Sequence, residues 1–325
     1  MAYRQQGLDG EGTSANPFLI RSYEDWKIID ARYDIDDDPP CYSLETDLNF
    51  MFIREDFQGA NFLGGTLLMN NHSIINPHVK LGSYLIRDAL VIGGEMEKLS
   101  PSGHTKEKGG EGKIIGTKGT HVEMLLNKCI LKRVYVDIEI GDMNIDSQDA
   151  SLFGQVSGEQ SFIAINNHND GFSTHPIISC LPVEGKASFL DTCFEFTGLT
   201  FDEHLIDQFY TSQNPNEVVL DHCMIRGSID MSNMTRHYSS SDTYICNGGI
   251  KSCIINMNAK GARDEQGYRG FGTYVDDSEG PSLNIKKAGF YMAIDDPTKI
   301  LTIDDNSYRK PNDNIARGFD VMKLR

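Results

Sequence analysis

The chain lacks the features by which several large protein classes are known. Nowhere in its 325 residues is there an uninterrupted apolar run approaching the about 20 residues that a membrane-spanning helix needs. The opening, MAYRQQGLDGEG, has no apolar core of the kind a secretory signal requires, so the expectation is synthesis in a cytoplasm without membrane insertion. Cations are scarce: 30 Lys and Arg against 47 Asp and Glu leave a formal charge of −17, and no basic tract stands out. Nucleic acid is therefore not an expected partner, because phosphate binding rests on clustered Lys and Arg. The cysteines number seven, an odd count, and no C-x-x-C pair occurs, so buried free thiols are expected in place of a disulfide framework. No segment between residues 120 and 300 carries a strong helical period, which argues against a helical repeat. The glycines between 109 and 119 are not accompanied by G-x-x-x-x-G-K-[ST], so no phosphate loop is expected there.

What is present is a recurring phrase. It reads Leu190-Asp191-Thr192-Cys193-Phe194, Leu220-Asp221-His222-Cys223-Met224 and Ile250-Lys251-Ser252-Cys253-Ile254, with the cysteines 30 residues apart each time. A further copy ends on Cys129, 64 residues before Cys193, and an apolar stretch around Phe162 to Ile165 falls where the absent copy would lie. Looser versions place Ala89 and Ala288 where the others have Cys. Self-similarity at a period of roughly 20 to 50 residues marks a stacked architecture, in which each coil covers the apolar side of the one before. The reading is a ladder of small, buried side chains, Ala89, Cys129, Cys193, Cys223, Cys253 and Ala288, at one inward corner.

The flanking residues decide the kind of coil. Val134 to Ile140 (VYVDIEI), Ser188 to Phe196 (SFLDTCFEF) and Ile225 to Met231 (IRGSIDM) alternate with a period of two and are bounded by Gly, Asn or Asp, the pattern of short strands. Parallel strands ordinarily need a crossover of a dozen or more residues, usually a helix, and no such helix is legible. A parallel β-helix avoids the crossover by pairing each strand with its own continuation one turn later. The expected fold is all-β, a single-stranded right-handed parallel β-helix with a short amino-terminal capping helix.

Three regions are expected. Residues 1–40 hold a Gly-rich opening segment and a helix over 23–33, with Ser22 as its cap, Asp25 three residues on, and Trp26, the single tryptophan, plugging the open end of the coil. Residues 41–300 form the β-helix, interrupted by a Gly-rich loop at 100–119. Residues 301–325 read as an irregular tail.

Candidate chemistry is thin. Asp34, Asp36, Asp38 and Glu45 occupy calcium-loop spacing, but Pro39 stands where the turn needs Gly. His168, Asp170 and His175 match no standard metal spacing, so no metal and no cofactor is expected. Glycan hydrolysis needs two carboxyls roughly 5–10 Å apart, and on a coil such pairs lie about one period apart, as Asp191 and Asp221 do. Asp also suits tight corners, which is the competing reading of both. Glu195 aligns with Leu131, Ile225 and Ile255, an inward slot where a carboxylate must be paired or protonated. Asp191, Asp221 and Glu195 are candidates; no residue is assigned a catalytic role.

The segment Gly10-Glu11-Gly12-Thr13-Ser14-Ala15-Asn16-Pro17-Phe18-Leu19-Ile20, followed by Ser22-Tyr23-Glu24-Asp25-Trp26, resembles the G-x-G-T-x-x-N-P-[FY]-L-I opening and short helix of right-handed β-helix proteins of the pectate-lyase-like class. That class includes bacterial surface proteins and bacteriophage virion proteins such as tailspikes, appendages and head fibres. Combined with the missing secretory signal, the resemblance implies a structural virion protein that contacts the host surface, packs as a homotrimer beside other virion proteins and touches a host surface glycan. It leaves open a tailspike depolymerase, a glycoside hydrolase or lyase, and a bacterial surface adhesin.

Overall fold

The computed structural model describes residues 7–29, 39–51, 59–77, 84–94, 112–120, 124–140, 152–167, 172–173, 177–180, 186–201, 205–208, 218–230, 246–247, 249–251, 254–260, 263–264, 267–268, 274–275, 300–302 and 320–322. The chain is a parallel β-solenoid, nearly all strand, as its pattern leads one to expect. Successive coils lay one strand on sheet A and the next on sheet B. Sheet A runs through Phe18–Ile20, Cys41–Leu44, Ala60–Leu68, Tyr84–Ile92, Met124–Lys132, Phe153–Glu159, Phe189–Leu190, Val218–Asp221, Gly249–Lys251 and Tyr274–Val275. Sheet B runs through Leu48–Asn49, Ser73–Ile75, Gly112–Thr120, Val134–Ile140, Phe162–Asn167, Cys193–Phe201, Met224–Asp230 and Ile254–Lys260.

The period-two pattern becomes columns of like residues. In sheet A, Tyr42, Leu67, Val91, Leu131, Gly158, Phe189 and Leu220 lie level with one another. In sheet B, Ile74, Ile114, Val136, Ile163, Phe194 and Ile225 do the same. Apart from Gly158, every member of the two columns is fully buried. Burying a side chain of this kind contributes about 1.5–3 kcal/mol, so each added coil extends the core by its own strip.

From the coil of Met124–Lys132 to that of Val218–Asp221, the corner from sheet A to sheet B takes one or two residues. Arg133, Gln160, Asp191 and His222 hold it in the left-handed region, at φ of 54°, 49°, 49° and 51°. Their amides stack upward: Arg133 N–H donates to Glu159 O, Gln160 N–H to Leu190 O and Asp191 N–H to Asp221 O, at 3.0–3.1 Å. The inward residue after each is Val134, Ser161, Thr192 or Cys223. Ser161 and Thr192 donate their hydroxyls, and Cys223 its thiol, to the carbonyl two residues back, at 3.0, 3.0 and 3.3 Å.

The amino-terminal end is closed as a unit. Thr13 and Asn16 bond each other's backbone, Leu19 N–H donates to Asp9 O at 2.8 Å, and Cys41 N–H donates to Gly12 O at 2.7 Å. Gly10 is at φ 110°, and a Cβ there would lie 2.0 Å from Pro17 O, so only glycine fits. The helix spans Tyr23–Ile28; Ser22 Oγ accepts from Asp25 N–H, and Asp25 Oδ2 accepts from Arg21 N–H at 2.8 Å. Ile29 ends it, and residues 30–38 lie outside the described ones.

Two expectations need correction. Residues 112–119 of the expected Gly-rich loop belong instead to a sheet B strand, Gly112–Thr120, with Ile114 inward. Gly112 is there for close approach, since a Cβ would meet Met69 Cβ at 2.4 Å and Gly93 O at 2.7 Å. The tail is not wholly irregular: Ile300–Thr302 pairs antiparallel with Ile254–Lys260, and Asp320–Met322 pairs antiparallel with Ile300–Thr302, which ends the parallel run of sheet B.

Candidate functional site

The expected single ladder of small residues resolves into three positions. Ala89 lies level with Cys129 inside sheet A. Cys193 lies level with Phe162 and Met224 on sheet B, on the face opposite to inward Phe194. Cys223 sits at the A-to-B corner with Ser161 and Thr192. Cys253 and Ala288 lie outside the residues whose side chains are described. The cause is arithmetic: the phrase repeats every 30 residues, while the coil from Cys193 to Met224 takes 31. In a strand, a slip of one residue moves a side chain to the other face.

The same slip corrects Glu195. Its level partners are Ala164 and Arg226, not Ile225, and it stands on the outer face of sheet B with Asp137 two coils below. Arg226 donates to Glu195 Oε2 from Nε at 2.7 Å and from a terminal nitrogen as well. Its guanidinium also lies 5.7 Å from the centre of the Phe162 ring. Beside this pair runs an outer apolar column in which Phe162, Cys193 and Met224 are each only 3% exposed. Tyr135 stacks on Phe162 with ring centres 4.8 Å apart.

Asp137 is held similarly. Tyr135 OH donates to its Oδ2 at 3.1 Å and Asn166 Nδ2 to its Oδ1 at 3.2 Å. Asp137 and Glu195, about 9–10 Å apart along the backbone stack, are both tied into the sheet wall. Asp191 and Asp221 do not face each other: Asp191 occupies the corner beside His222, while Asp221 ends a strand level with Leu190 and Lys251 and binds His222 Nδ1 at 2.7 Å. Reading phrases by their cysteines missed Tyr135, Asp137 and Asn166, although strict alternation in VYVDIEI sets Tyr135 and Asp137 opposite inward Val134, Val136 and Ile138.

Among the described residues no group of three or more His, Cys, Asp or Glu is placed to hold a metal, and no helix is long and apolar enough to cross a membrane. Glu45, from the calcium-like spacing, accepts from Ser43 Oγ at 2.5 Å; Asp34, Asp36, Asp38, His168, Asp170 and His175 lie outside the described residues.

Burial holds two of the thiols in the protonated form. Desolvation pushes Cys129 up to about 12, against hydrogen bonds from the Ala89 and Asn127 backbone that lower it. Desolvation likewise pushes Cys193 up to about 12, with Arg226 lowering it and Glu195 raising it. A pKa near 12 leaves about one thiolate in 10⁴ at pH 8, so a disulfide reagent should not label Cys129 or Cys193 until denaturant is added. Prompt labelling of either in the folded chain, located by peptide mass spectrometry, would contradict this. Because both values are raised on folding, their contribution to stability is whole below the ordinary thiol value of 9.0 and is lost as pH climbs towards about 12.

No family model, no curated protein and no solved structure matches this chain.

Proposed function

We propose that the chain is a structural protein of a bacteriophage virion, a β-solenoid spine of a fibre, appendage or tailspike that contacts the host surface. The observation that carries this reading is the amino-terminal closure. The segment that resembles the opening of right-handed β-helix proteins, a class with both surface and virion members, is the one that builds the cap, with Gly10, Thr13, Asn16 and Phe18 each engaged in starting the first coil. The flank of sheet B gives further support: its two in-register carboxylates, Asp137 and Glu195, serve Tyr135, Asn166 and Arg226. A glycan-cutting site would instead aim both at a bound sugar. Partners on this reading are further copies of the chain, other virion proteins and a host surface glycan.

The test incubates the purified chain with host capsule and wall glycans and reads both binding and cleavage. Retention on the glycan without new reducing ends or unsaturated sugars is the expected result. Released oligosaccharide would replace the reading with a depolymerase, and recovery of the native protein from cell envelopes and not from particles would replace it with an adhesin.

A further inference from the structure

We draw no further inference here: the strongest candidate, the aliphatic patch of Leu68, Leu90, Ile92 and Ile130 on the outer face of sheet A, carries nothing because nothing in the structure shows what covers it.

Discussion

Trp26→Ala should unravel the amino-terminal coils while leaving distant coils folded. Trp26 is 1% exposed and meets Phe50 and Phe62 edge to face, at centroid distances of 6.0 and 5.9 Å. Phe62 in turn packs on Tyr42, which packs on Phe18, so the ring closes a cluster that starts the core. Truncating a buried aromatic to Ala costs about 3–5 kcal/mol. In a solenoid this loss is not shared by the whole molecule, because each coil contacts only its neighbours. Amide exchange in Phe18–Ile20 and Cys41–Leu44 should accelerate by about 10²–10⁴, whereas Phe162–Asn167 and Cys193–Phe201 keep their protection. The uncapped end also exposes strand edges and core, so aggregation should increase. Trp26→Phe should cost far less: it retains an aromatic plug and removes an indole N–H that has no hydrogen-bond partner among the described residues. Unchanged exchange in the first coils of the Ala variant would show that something other than this ring closes the end.

The stacked architecture was legible because it needs only periodicity: alternation within strands and recurrence between coils. Phase was not legible. Coil length varies, with 40 residues from Ala89 to Cys129, 27 from Ile130 to Ser157, 31 from Cys193 to Met224 and 30 from Met224 to Ile254. Chain outside the ladders absorbs the difference, and no pattern within a strand reports it. Cysteine, valine and threonine all suit an inward slot near a corner, so the resemblance of Leu190-Asp191-Thr192-Cys193 to Leu220-Asp221-His222-Cys223 concealed a change of phase. The corner falls on Asp191 in the first phrase and on His222 in the second. The amino-terminal cap was far more legible, because Ser22, Asp25 and Trp26 act within a few residues of one another and depend on no register.

Arg226→Met should destabilise the chain more than any other single change on the outer face of sheet B, by about 2–3 kcal/mol. The side chains of Arg226 and Glu195 are 25% and 23% exposed, so the pair is mostly withdrawn from water yet not sealed. Breaking a fully buried pair costs about 3–5 kcal/mol, and an exposed pair contributes about 0–1 kcal/mol; partial cover sets the expected value between them. Removing the guanidinium leaves a carboxylate beside Phe162, Cys193 and Met224 with its main partner gone, and uncovers one side of the Phe162 ring. Glu195→Gln should cost less, about 1 kcal/mol, because the amide still accepts from Arg226. The double variant Glu195→Leu, Arg226→Met should recover most of the loss, since an apolar pair packs against the apolar column beside it and leaves no charge to desolvate. A double-mutant cycle on denaturation midpoints reads the coupling directly. A coupling under about 0.5 kcal/mol would make Glu195 and Arg226 an ordinary surface pair, and the carboxylate would then be open to a ligand instead of committed to the wall.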